Sequence, residues 1–177
     1  MKRIFQIAII LFFIFVVLSL PTSAQDTNGL CISPLIAGKE NLITKDFAGT
    51  VAVYFESGML IIEFKTHDGW VLQETHLYVG VEAPATSAPG RFPYKHDLLE
   101  NSDTDTYEID LEENNLTLDN EIIYFAAHAA MQLIGPEGDI LEEESAWALG
   151  DPIREGKNWA MYFRCTGGEN GGDDVVN

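Results

Sequence analysis

Gly69-Trp70-Val71-Leu72-Gln73-Glu74-Thr75-His76-Leu77-Tyr78-Val79-Gly80-Val81 is the stretch whose reading decides the fold. It is long enough for a central β-strand and apolar enough to be mostly buried, yet it carries a glutamate and a histidine two residues apart. Strand alternation sets Glu74, His76 and Tyr78 on one face and Thr75, Leu77 and Val79 on the other. Such a pattern belongs either to a buried polar network or to a site.

The neighbouring segments read the same way. Val51 to Glu56 and Met59 to Lys65 form two strands joined by Ser57-Gly58, where Gly58 accepts a positive φ without strain. In the second of them Leu60, Ile62 and Phe64 share one face, and Glu63 and Lys65 take the other. Thr104 to Leu111 alternates again, with Tyr107, Ile109 and Leu111 as its inner face. Glu121 to Ile134 is strongly apolar; its alanines would suit a helix, but Ile122-Ile123-Tyr124-Phe125 is β-rich and its neighbours are β. Asn158 to Cys165 reads as the closing strand. Between these, Ala83 to Asp97, with Pro84, Pro89, Gly90 and Pro93, reads as a long ordered loop. Gln25 to Lys45 reads as a lead-in arm or an edge strand, Glu142 to Glu144 as a solvated acidic patch, and Ser145 to Ala148 as a short apolar return. The sum is an all-β, antiparallel β-sandwich, Ig-like or jelly-roll-like.

Lys2 and Arg3, the apolar run Ile4 to Leu20 and the small residues Pro21 to Ala24 predict a secretory signal peptide over 1–24; an uncleaved anchor is the competing reading. Cys31 lacks the preceding small residues of a lipoprotein signal. The domain plan is then a signal over 1–24, an arm over 25–45, a single sandwich domain over 46–165 and a disordered acidic tail over 166–177. Cleavage removes two cationic residues and no acid, which takes the charge of the full chain from −18 to −20. That field excludes nucleic acid and anionic membrane surfaces as partners and leaves cations and basic ligands open. The expected location is secreted, cell-surface or periplasmic. Its two cysteines, Cys31 and Cys165, are expected to form one structural disulfide that closes nearly the whole chain.

Three stretches put histidine in apolar company: Glu74-Thr75-His76, Tyr94-Lys95-His96 and Ala127-His128-Ala129. If their strands are neighbours, His76, His96 and His128 converge, with Glu74 beside them, as a zinc or copper site. The plainer reading is a set of core histidines that anchor the loop. The acidic runs Glu100 to Asp105 and Glu142 to Glu144 with Asp151 have calcium-type oxygen ligands but no EF-hand spacing. Trp70, Trp147 and Trp159 with Phe92 and Tyr94 have the composition of a sugar-binding platform, or of core. No Gly-x-Ser-x-Gly element supports a hydrolase.

Glu74 to Gly80, Ala88-Pro89-Gly90-Arg91-Phe92-Pro93-Tyr94-Lys95-His96, Ala126-Ala127-His128-Ala129, Glu144-Ser145-Ala146-Trp147-Ala148 and Asn158-Trp159-Ala160-Met161-Tyr162-Phe163 together resemble a β-rich module of secreted and surface proteins of bacteria. The likeness runs from about Thr50 to Cys165. It implies location and a single β-rich unit, and carries over no catalytic role. The expected function is therefore that of a non-enzymatic extracellular domain that binds a ligand or surface component, or serves structurally. Its candidate binding residues are Glu74, His76, Tyr94, His96, His128, Glu144 and Trp147. The alternative is a metal-binding domain (zinc, copper or calcium) or a metal-dependent hydrolase that uses His76, His96 and His128.

Overall fold

The computed structural model describes residues 28–117, 122–156 and 158–166, with only the backbone of residues 28–30. The expected signal peptide and the tail beyond Thr166 lie outside them. The described residues form ten strands: β1 (Asn28–Ala37), β2 (Gly49–Glu56), β3 (Met59–Thr66), β4 (Trp70–Gly80), β5 (Tyr94–Ser102), β6 (Thr104–Asp110), β7 (Ile122–Ile134), β8 (Ile140–Ala148), β9 (Asp151–Pro152) and β10 (Met161–Thr166). One short helix, α1 (Asn41–Thr44), and a 3-10 turn (Pro89–Arg91) complete the elements. All strand pairings are antiparallel, in the order β5-β4-β7-β8-β1-β2-β3-β6.

The β2–β3 hairpin forms where its sequence places it. Glu56 pairs with Met59, and the two turn residues Ser57 and Gly58 both take positive φ (52° and 87°), the turn whose twist matches that of its strands. Leu60, Ile62 and Phe64 are fully buried, each a contribution of about 1.5–3 kcal/mol. They meet Val51, Val53, Leu77, Phe125, Ala127 and Met131 in one core, so the sheet curls until its inner face packs on itself in a nearly barrel-like shape.

Closure is made by side chains. β5 and β6 end the pairing order, and across the seam between them the fully buried Thr75 hydroxyl donates to Asp105 Oδ2 and lies 2.7 Å from Tyr107 Oη. Tyr107 Oη is 3.0 Å from the carbonyl of Thr75. His96 Nδ1 sits 2.9 Å from Asp105 Oδ1, and its ring stacks on Tyr107 at 4.2 Å. Burial pushes the Tyr107 phenol up to about 12, so it stays a neutral donor.

β7 is the central strand. Along one edge it pairs with β4; its other edge is shared, with β8 on His128 to Ile134 and β10 on Ile122 to Phe125. After β8 the chain leaves the sheet at Gly150 and returns as β10, which the Cys31–Cys165 disulfide ties to β1. Gly150 is obligatory there, because a Cβ would lie 2.0 Å from the carbonyl oxygen of Tyr162. Such a bridge belongs to a chain folded in an oxidising compartment. No helix among the described residues is long and apolar enough to cross a membrane.

Two segments differ from the sequence reading. β1 is an interior strand between β2 and β8, where an arm or edge strand was expected; Leu35 and Ala37 reach the core, and Ile36 packs on the other face. The loop before β5 ends at Pro93, and Tyr94 to Asp97 pairs with β4. The three prolines stop short of that run, so it is free to join the ladder. The acidic patch and the apolar return around Glu142 and Trp147 form the single strand β8.

Candidate functional site

A β-bulge fixes the outer face of β4. Leu72 pairs with Met131 and Glu74 with Ala130, so Gln73 is the extra residue and the alternation changes phase across it. Leu72, Thr75 and Leu77 point into the core, while Glu74, His76 and Tyr78 face outward. In the β4–β7 register His76 stands directly opposite His128, with Nδ1 to Nδ1 at 3.3 Å. His128 Nε2 lies 2.7 Å from Ser145 Oγ of β8, and the His128 and Trp147 rings meet edge to face with centroids 4.8 Å apart. From the other side β5 sets Lys95 opposite His76 and Asp97 opposite Glu74. His76 Nε2 is 3.6 Å from Glu74 Oε2, and the ligand atoms of Glu74, His76 and Asp97 all lie within 4.8 Å of one another.

Both histidines are buried, at 8% and 7% exposed as residues. Burial pulls His128 down to about 3, and the facing His76 adds to the shift. Burial also lowers His76, against the pull of Glu74 and Asp97, and Lys95 lowers it further. Two neutral rings have one N–H each, and only one proton fits between the Nδ1 atoms. The two tautomers are thus locked to each other, and Ser145 completes a chain whose other end faces the carboxylates. Ser145 and His128 have the contact of a nucleophile and its base. Burial, however, leaves His128 a weak base toward that hydroxyl near neutrality. The carboxylate end can hold a cation.

Of the sequence candidates, Glu74, His76, His128 and Trp147 come together. His96 does not: it pairs with Thr75 and so projects from the opposite face, where Asp105 and Tyr107 hold it. The expected three-histidine metal set is corrected on that ground. Tyr94 shares the face of His96, and its hydroxyl donates to Asn114 Oδ1 at 2.6 Å. Glu144 is also apart, on the opposite face of β8 from Ser145 and near Glu40; burial, Glu40 and Glu142 raise its carboxyl. Trp147 and Phe92 are buried against each other and offer no exposed sugar platform. Asp105, from the acidic run weighed for calcium, is turned into the seam.

Asp97, Lys95 and Ser145 were missed by the sequence reading. The signal was present for Asp97: Lys95 and Asp97 alternate with Tyr94 and His96, which is a strand pattern once the prolines are passed. Ser145 had no signal of its own, because only the β7–β8 register brings it to His128.

No family model matches the chain, and no curated protein matches it. Among solved structures it is similar to the 2.00 Å crystal structure of a "putative carbohydrate binding protein" from Bacteroides uniformis, at 16% identity and a TM-score of 0.34. That match covers 64% of this chain and 53% of the other, so the chain spans about half the length of that structure.

Proposed function

We propose that the protein is an exported, non-enzymatic domain of β-sandwich type, its curled sheet flattened into two facing layers, that binds a cationic ligand outside the cytoplasm through Glu74, His76 and Asp97. One observation carries the reading: two carboxylates and a neutral imidazole converge to within 4.8 Å on the outer face of the β4–β5 edge. Neutral His76 and His128 leave the two acids without an imidazolium partner. Lys95, the cation opposite His76, donates its Nζ to the carbonyl of Gly90 at 3.3 Å. The acid surplus of the whole chain raises the local concentration of positive ligands. Binding is favoured over hydrolysis because the serine–histidine contact has only a weak base near neutral pH.

Calorimetric titration of the disulfide-bonded protein with Zn2+, Ca2+ and tetralysine tests this reading. At least one of the three binds, and the double variant E74Q/D97N abolishes that binding while the urea midpoint is retained. If none of the three binds, or if the double variant binds as the parent does, the reading is wrong.

A further inference from the structure

Resting on that reading, we infer that the cationic ligand is a divalent first-row transition-metal ion, held by His76 Nε2 and one oxygen each of Glu74 and Asp97. The Ser145–His128 chain behind His76 sets the tautomer that the ion requires.

The donor set selects the class of ion. Calcium and magnesium take oxygens, and calcium wants six to eight of them, whereas an imidazole nitrogen with two carboxylates suits zinc and its neighbours. Three protein ligands leave a fourth position for water. Ligand atoms around a tetrahedral ion at ~2.1 Å are ~3.4 Å apart. Closing from 4.8 Å asks only for side-chain rotations of Glu74, whose side chain is 46% exposed, and of the exposed Asp97. The nitrogen need not move. The His76 side chain is 10% exposed, and its Nε2 forms no hydrogen bond among the described residues: the nearest carboxylate oxygen, Glu74 Oε2, stands off at 3.6 Å. No buried side-chain nitrogen or oxygen among the described residues lacks a partner, so Nε2 is the edge of the ring that reaches solvent, beside the carboxylate pair and open to an ion.

Two arrangements of the hydrogen-bonded chain are possible. In one, Ser145 Oγ donates to His128 Nε2, His128 Nδ1–H donates to His76 Nδ1, and His76 Nε2 carries a proton toward Glu74. In the other, His128 Nε2–H donates to Ser145 Oγ, His76 Nδ1–H donates to His128 Nδ1, and His76 Nε2 presents its lone pair. Only the second can ligate an ion. Going from the first to the second, Ser145 gives its proton to His128 Nε2, and His128 Nδ1 gives one to His76 Nδ1. His76 Nε2 releases one to solvent, and water reprotonates the exposed Ser145. No net proton is gained or lost. A metal-ligating histidine commonly donates its other ring N–H to a fixed acceptor, a place taken here by His128 Nδ1.

The test uses the exported, disulfide-bonded protein with Zn2+ as probe. Calorimetry is expected to show one equivalent bound, weakened at least about a hundredfold by E74Q or D97N. S145A is expected to weaken it about tenfold by removing the distal acceptor, and S145T to restore it. Long-range 1H–15N spectra report the tautomers directly. On adding Zn2+, His76 converts to the Nδ1–H form and His128 to the Nε2–H form. Absence of Zn2+ binding at 1 mM, or binding indifferent to E74Q and D97N, overturns the metal site. Coordination through His76 Nδ1, or affinity unchanged in S145A, overturns the role given to the chain. Tetralysine binding lost in E74Q/D97N but with no metal bound refutes this assignment alone and leaves the cation-binding face standing. Failure of every probe sinks both.

Discussion

The seam between β5 and β6 makes a sharp prediction because its hydroxyls have a spare arrangement. Thr75 is fully buried and its one hydroxyl proton has two acceptors in reach, Asp105 Oδ2 and Tyr107 Oη. In Asp105→Ala the proton turns to Tyr107, whose own hydroxyl still reaches the carbonyl of Thr75 at 3.0 Å. His96, 42% exposed, finds water. In Tyr107→Phe the Thr75 proton stays on Asp105. Each single variant therefore leaves the Thr75 hydroxyl satisfied. The double variant leaves it buried with neither acceptor, a cost of about 1–3 kcal/mol beyond the sum of the singles. Urea unfolding of the disulfide-bonded protein reads this as an extra midpoint shift of about 1 M. Repeating the cycle in a Thr75→Val background, where there is no hydroxyl to strand, should reduce the coupling to nothing. Additivity within about 0.5 kcal/mol in the parent background would refute the reasoning, as would an equal coupling once Thr75 is replaced by valine.

The remaining predictions concern titration, the staple and a close approach. Burial holds His128 at about 3, against 6.5 for the free side chain, so between these values the unfolded chain takes the extra proton. Stability contributed by the neutral ring is then fully present above pH 6.5 and lost as pH falls toward 3, with a slope of up to about 1.4 kcal/mol per pH unit. Urea curves for the parent and H128N, measured with a chelator present, should diverge in that sense over pH 6.5 to 4; parallel curves contradict it. Replacing Cys31 and Cys165 by alanine opens a loop of 134 residues and should cost up to about 5 kcal/mol, read as a drop in Tm. Gly150→Ala drives a Cβ onto the Tyr162 backbone and should cost about 3 kcal/mol or more by urea unfolding, against well under 1 kcal/mol for alanine at the unobstructed Gly90.

Most strands were legible because each carries its own period. The β2–β3 hairpin, β6, β7 and β10 follow from alternation, a Ser-Gly turn and β-branched runs, all local properties. β1 and β5 were less legible for opposite reasons. Pro34 and the flanking turn residues make β1 look peripheral, and only the pairing with both β2 and β8 makes it interior. For β5 the loop prolines masked a strand that begins the moment they end. The site was half legible. Glu74, His76 and His128 share a face on alternation alone, but whether His96 joins them depends on its parity relative to His76 across the ladder. His96 opposite Thr75 rather than His76 is a one-residue matter of register, and a slip of one residue sends every side chain to the other face.

That same parity explains why one strand holds both the seam and the site. The bulge at Gln73 reverses the alternation of β4, so Thr75 closes the curled sheet from within while Glu74 and His76 stand on its outer face. Trp70 and Leu72 already point inward ahead of the bulge. Were Gln73 paired in a regular ladder instead of bulged out of it, Thr75 would face out, Glu74 and His76 would enter the core, and the seam would lose its central hydroxyl. An unpaired carboxylate in that core would cost several kcal/mol. Deleting Gln73 should therefore preserve the fold and the site, because Leu72 and Glu74 then follow each other as their partners Met131 and Ala130 do, and Gln73→Ala, which only loses the contact with Asn101, should preserve both as well. Far-ultraviolet dichroism and Zn2+ calorimetry on the two variants test this, and a deletion that unfolds or no longer binds Zn2+ would show that Gln73 is more than an insertion into the ladder.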